Sequence, residues 1–142
     1  MNKDDIKKIL PHREPMLVVD EVELKDGVSV GKYTVRGDEF FLQGHFPGNP
    51  VVPGVILCEM MAQSSCLLVD WDSKAGKSVT PYFTSLNKVR FKHKVVPGDT
   101  VTFKCELISK KAPFYFIKAA GYVGETETLA VSGELSFAVM ED

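Results

Sequence analysis

The chain is poor in the residues that would tie it together chemically. Among its 142 residues are only three cysteines, three histidines and one tryptophan. Cys58, Cys66 and Cys105 form no C-x-x-C pair, so the usual structural-zinc and thioredoxin-like spacings are missing. On a shared helix Cys58 and Cys66 would lie about 12 Å apart along the axis, beyond disulfide reach. All three have apolar neighbours and are expected as free thiols in the core. An excess of one charge is also lacking. Seventeen Lys and Arg stand against 19 Asp and Glu, a net charge of −2, which offers no global field to recruit nucleic acid. No apolar run approaches the roughly 18 residues of a membrane span. The opening Met-Asn-Lys-Asp-Asp lacks the apolar region of a secretory signal. Gly and Pro, 11 and 8, are at average usage, which excludes collagen-like and low-complexity chains. A soluble, cytosolic protein is expected, one domain over residues 1–142, large enough to bury a core without staples.

The patterning predicts an order of elements. Lys3 to Leu10 reads as a short helix stopped by Pro11. Met16 to Leu24 and Val28 to Val35 read as strands joined by Asp26-Gly27, a strong hairpin signal. A long loop, Arg36 to Pro53, holds Phe40, Phe41 and Phe46, which argue against disorder there. Val55 to Val69 predicts a helix with Pro53 suited to its start. Its apolar residues fall on every side, so protein must surround it on most sides. Four strands follow: Pro81 to Phe91, Thr100 to Ile108, Phe114 to Val123 and Leu129 to Val139. Val101, Phe103, Cys105 and Leu107 alternate with Thr102, Lys104 and Glu106, and Leu129, Val131, Leu135 and Phe137 alternate with Ser132, Glu134 and Ser136. Strands in series around one segregated helix predict an α+β fold, an antiparallel sheet of about five to six strands wrapped around a central helix.

Two side chains stand out as chemistry. His45 lies in the loop Gly44-His-Phe-Pro-Gly48, and Glu59 near the start of the apolar helix. An unpaired buried carboxylate is costly, so Glu59 needs a partner, a proton or a cavity. Gln63, four residues on, shares its helix face. The plain alternatives are a first-turn acid favoured by the helix dipole and a hydrogen-bonded loop histidine. Taken together, the two read as an acid/base pair, with an apolar site favouring the protonated acid. The unpaired N–H groups at Gly54 and Val55 suit a developing enolate oxygen. Removal of a proton beside a carbonyl with loss of a hydroxyl fits this set.

The stretch from His45-Phe-Pro-Gly-Asn-Pro-Val-Val-Pro-Gly through Glu59-Met-Met-Ala-Gln63 closely resembles the signature of FabZ-type 3-hydroxyacyl-[acyl-carrier-protein] dehydratases. Leu10-Pro-His-Arg-Glu-Pro-Met-Leu-Val-Val-Asp20, Lys88-Val-Arg-Phe and Val95-Val-Pro-Gly-Asp99 resemble their flanking motifs, and the likeness runs from about Ile6 to Ala138. The resemblance implies a hot-dog fold and dehydration of a 3-hydroxyacyl thioester to the trans-2-enoyl product in fatty acid biosynthesis. It implies His45 and Glu59 as the catalytic pair, contributed by different subunits of a dimer, often within a trimer of dimers. It implies Gly54 as the thioester-carbonyl donor, Gln63 as support for Glu59, and Phe46, Tyr82 and Phe83 as acyl-tunnel residues. No metal or organic cofactor is implied. The partner is acyl carrier protein, whose phosphopantetheine arm brings the substrate.

Glu14, Met60, Asn87 and Pro113-Phe-Tyr-Phe116 depart from the usual pattern, which leaves room for a dehydratase of a specialised pathway, polyketide or aryl-polyene-like. Lys88, Arg90, Lys92, His93 and Lys94 make a locally basic segment in an acidic chain. It is either a solvated strand face or a dock for an acidic carrier. Two rivals use the same fold: a thioesterase, with a helix carboxylate activating water and no essential histidine, and a non-catalytic acyl-carrier binding module.

Overall fold

The computed structural model describes all 142 residues. A short helix α1 (Lys3–Ile6) precedes strands β1 (Glu21–Lys25) and β2 (Val28–Thr34). The main helix α2 (Gly54–Ser64) follows, then β3 (Val79–Phe91), β4 (Thr100–Lys111), β5 (Phe114–Val123) and β6 (Thr128–Glu141). The six strands form one antiparallel sheet in the order β1-β2-β4-β5-β6-β3. β1 and β3 are its edges, and α2 packs on the face formed by β2, β4 and β5.

The hairpin between β1 and β2 forms as its turn residues require. Asp26 and Gly27 both take positive φ, 50° and 80°, the backbone of the two-residue turn that matches strand twist. The first strand is shorter than the expected Met16 to Leu24, because residues 16–20 serve another purpose. Their backbone is held by Gln63 of α2, which receives the Val18 N–H and donates to the Met16 carbonyl, each at 2.8 Å. The α1 helix also ends early, at Ile6, and continues as irregular turns to Leu10.

On α2, Ile56, Leu57, Cys58, Met60, Met61, Gln63 and Ser64 are all buried, so the helix has no wet face in the ordinary sense. Only Val55, at its outer end, projects into solvent. The helix stops before the expected Val69. The Ser65 hydroxyl donates to the Ala62 carbonyl at 2.6 Å, a local bond that competes with the helical ladder. A single 3₁₀ turn then carries Cys66–Leu68. All three cysteines are free and buried, and burial pushes the Cys66 thiol up to about 12 and that of Cys105 higher still.

Alternation along β4 holds for Val101, Phe103 and Cys105, which are buried, but fails at Leu107. That residue is the last of β4 in regular register with β5, immediately before a shift between Leu107 and Ser109. In β6, Ser136 is buried against expectation and shares hydroxyl contacts with Thr84 and Ser85 at a bulge of β3. The loop phenylalanines divide. Phe41 joins the core beside Leu42, whereas Phe40 stays exposed against its edge. Among the departures from the family pattern, Met60 is fully buried, Tyr115 stacks on Phe137 in the core, Glu14 pairs with Lys7, and Asn87 reaches Glu134 at the edge.

Sheet and helix approach closely at Gly31 of β2, which lies directly against the Ser64 backbone and side chain. A methyl group there would overlap Ser64, and neither backbone can retreat without disturbing the sheet. Gly31→Ala is expected to destabilise the fold by about 1–3 kcal/mol, the usual range for overpacking. Chemical unfolding of both proteins under the same conditions checks this.

Candidate active site

His45 is held by a tight turn of its own loop. Phe46-Pro47-Gly48-Asn49 closes with the Asn49 N–H on the Phe46 carbonyl at 2.9 Å, and Gly48 has φ 75°. Pro second and a positive-φ Gly third are what a type II turn demands. The Val51 N–H donates to the His45 carbonyl at 2.8 Å, and the His45 Nδ1 lies 2.9 Å from the Val51 carbonyl. A carbonyl can only accept, so Nδ1 carries the ring proton and Nε2 is left with its lone pair. The loop therefore sets the tautomer of the ring, in which Nε2 can accept a proton.

Around His45 is an open cavity of about 540 Å³, lined also by Val52, Gly54, Phe91, Lys92 and Lys94. Gly54 is the first residue of α2, where the leading N–H groups have no acceptor within the helix. Phe91 lies over it so closely that a Cβ on Gly54 would come within 2.8 Å of the ring.

Glu59 faces a different and smaller cavity, of about 50 Å³, lined by His12, Gln63, Tyr82, Phe83 and Phe137. Its side chain is 19% exposed, and its Oε2 accepts from Gln63 Nε2 at 2.8 Å, with His12 Nε2 3.4 Å away. The carboxylate has both partners and a cavity, as the sequence required of it. Tyr82 and Phe83 come from the start of β3 and bring their rings to this cavity.

The structure thus brings Gly54, Lys92 and Lys94 to His45, and Gln63, Tyr82 and Phe83 to Glu59, but leaves the two groups in separate cavities of one chain. Phe46 lines neither; it stacks on His45 with ring centroids 4.1 Å apart and is otherwise exposed. The basic segment is not one strand face. β3 ends at Phe91, so Lys92 and Lys94 lie on the following loop, while Lys88 sits at a bulge and faces the outer side of the sheet near Lys104 and Lys118. Arg90 pairs in register with Ser132 and lines neither site cavity. His12 is the residue that sequence reading left without a role. It stood inside the Leu10-Pro-His-Arg motif, but nothing local indicated that this loop folds onto α2.

Residues 10–132 match the model of the FabA-like domain. The chain is 43% identical over 141 residues to the 3-hydroxyacyl-[acyl-carrier-protein] dehydratase FabZ of Clostridium perfringens (strain SM101 / Type A), covering 98% of this chain and 99% of that one. The enzyme of the same name from Caldicellulosiruptor saccharolyticus is 45% identical over 136 residues, covering 94% and 95%. Among solved structures, the dehydratase heterocomplex ApeI:P from Xenorhabdus doucetiae superposes with a TM-score of 0.78 at 22% identity, covering 94% of this chain and 89% of that one. A hypothetical thioesterase from Streptococcus pneumoniae superposes at 0.63 with 13% identity, covering 98% and 97%. The helix enclosed by a six-stranded antiparallel sheet is therefore that of a hot-dog protein, a frame shared by dehydratases and thioesterases. The chain belongs to the FabA-like family and, within it, to the FabZ-type 3-hydroxyacyl-[acyl-carrier-protein] dehydratases.

Gly54 and Phe91 fit one another with no room to spare. Gly54→Ala is expected to lower the melting temperature by displacing the Phe91 ring, and Phe91→Leu in the same chain to recover most of the loss. Thermal unfolding of the single and double variants measures this coupling.

Proposed function

We propose that the protein dehydrates (3R)-3-hydroxyacyl-[acyl-carrier-protein] to the trans-2-enoyl form in fatty acid biosynthesis, at sites shared between two copies of the chain. His45 Nε2 removes a proton from the carbon beside the thioester. The Gly54 N–H at the positive end of α2 holds the oxyanion that develops on the thioester carbonyl. The partner's Glu59 protonates the departing 3-hydroxyl, which leaves as water, while the acyl chain lies along Tyr82 and Phe83. The base requires a free Nε2, and the bond from Nδ1 to Val51 leaves it free.

The observation that carries the shared site is the edge strand β3. One side of it pairs with β6, and the other side is unpaired along 13 residues. It exposes Tyr82 at 56%, Leu86 at 48% and Phe91 at 53%, the kind of long apolar edge that proteins otherwise protect. The Glu59 cavity is lined from the start of β3 and the His45 cavity from its end. Antiparallel pairing of β3 with a second copy, about a two-fold axis near Leu86 and Asn87, sets Tyr82 opposite the partner's Phe91. That pairing brings each Glu59 cavity to the partner's His45 and makes two complete sites. Assembly of three such dimers is the further state the resemblance implies.

Lys92 and Lys94 flank the mouth of the His45 cavity and suit an acidic carrier protein arriving with its acyl arm. Lys88 and Arg90 stand apart from that mouth and take a smaller part in docking. The protein is read as cytoplasmic, where that carrier substrate is made; no helix is long and apolar enough to cross a membrane.

The decisive experiment is complementation with crotonyl-loaded carrier, following loss of the enoyl absorbance. His45→Ala and Glu59→Gln are each expected to lose at least ~100-fold in turnover. Mixed after dissociation and reassociation, they are expected to recover about a quarter of wild-type activity. Half the dimers are then mixed, and each of these has one intact site of two. No recovery would place both residues in one subunit, and near-normal activity of either variant alone would remove it from the chemistry. Release of free carrier thiol would favour a thioesterase. Separately, reversing charge at Lys92 and Lys94 is expected to raise KM for the carrier substrate several-fold with kcat unchanged, an effect that weakens as salt rises.

A further inference from the structure

His12 stands in the Glu59 cavity on a loop that the chain fastens from several sides. Arg13 donates to the carbonyls of Lys7, Leu10 and His12, at 3.1, 3.0 and 2.7 Å. Residues Met16 and Val18 are tied to Gln63 of α2. The imidazole cannot drift from the carboxylate, and its side chain is 22% exposed. Its Nε2 faces Glu59 Oε2 at 3.4 Å, while its Nδ1 is buried with no hydrogen-bond partner. Those two facts select a protonation state. A proton on Nδ1 would be a donor sealed away from any acceptor, and an imidazolium would carry one there as well. The state that fits has the proton on Nε2, on the side of Glu59, and a bare lone pair on Nδ1.

Gln63 Nε2 already donates to the same carboxyl oxygen. The Gln63 donor and the nearby His12 Nε2 are thus both at Oε2, and Oε1 receives no hydrogen bond from the chain. We infer that His12 is a positioning residue for the acid: as the Nε2–H tautomer it joins Gln63 in fixing Oε2 as acceptor, which assigns the transferable proton of Glu59 to Oε1. When Oε1 gives that proton to the departing hydroxyl, the two N–H groups face a full carboxylate and hold the charge left behind. The 3.4 Å separation is long for a hydrogen bond, and such contacts tighten when substrate fills the site. Tyr82 is the other titratable group lining this cavity, so no further charge competes for Glu59.

This inference rests on the dehydratase reading and is tested in two ways on the full-length protein. In ¹⁵N-histidine-labelled protein, long-range proton–nitrogen correlation is expected to show His12 Nε2 protonated and Nδ1 unprotonated. A proton on Nδ1, in either the other tautomer or the imidazolium, would overturn the assignment. In turnover of crotonyl-loaded carrier, His12→Leu is expected to lower kcat about 10-fold or more, with KM held within a factor of about two. His12→Gln, which restores an N–H at the ε position, is expected to recover most of that loss at a melting temperature similar to that of His12→Leu. Unchanged kcat in His12→Leu, or equal loss in both variants, overturns the role of His12 alone. An inactive wild-type protein overturns the dehydratase reading and the proton assignment with it.

Discussion

A helix with apolar residues all round cannot rest on a surface; it has to be enclosed. Each fully buried Leu or Met contributes about 1.5–3 kcal/mol on leaving water, and α2 buries Leu57, Met60 and Met61 together. The sheet supplies the enclosure by curving along β2, β4 and β5. Its approach is so close that β2 needs Gly31 opposite Ser64. From that enclosure follow the two features that chemistry needs. The start of α2 opens into a cavity with unpaired N–H groups, and any acid placed on the helix is confined among a few fixed neighbours.

Glu59 is that acid, and its surroundings show how a costly group is accommodated. Gln63 spends both ends of its amide on the arrangement. Its oxygen accepts from Val18, and its nitrogen serves Met16 and Glu59. One side chain thus fastens the loop before β1, orients the carboxylate and delivers His12 to it. The same economy holds at the other cavity, where one bond to the Val51 carbonyl fixes the His45 ring and its tautomer.

The unpaired edge strand β3 borders both cavities, one at its start and the other at its end. A 13-residue strand with large apolar side chains in solvent is a liability in an isolated chain. In the dimer proposed above, it is the element that brings one subunit's Glu59 to the other's His45. The hot-dog frame itself is indifferent to the reaction, since thioesterases share it. What distinguishes this chain is a loop histidine whose tautomer is fixed and a helix carboxylate held by Gln63, together with a long identity to FabZ relatives.

Periodicity and turn chemistry were enough to read the Asp26-Gly27 hairpin, the enclosed helix and the four long strands, because each depends on residues adjacent in the chain. Glu59 and His45 stood out for the same reason: a carboxylate in an apolar helix and a histidine in a loop between two glycines are local anomalies. The early end of α2, which one local bond of Ser65 decides, and the solvent-facing Leu107 and buried Ser136, which lie beside irregularities in strand pairing, were not legible in the hydrophobic pattern. Nor could the sequence place Lys88 and Lys92 on different faces, which a bulge and the end of β3 decide. His12 is the clearest case. Forty-seven positions separate it from Glu59, and only the folding of its loop onto α2, through bonds that Gln63 makes to backbone groups, gives that histidine a carboxylate to face.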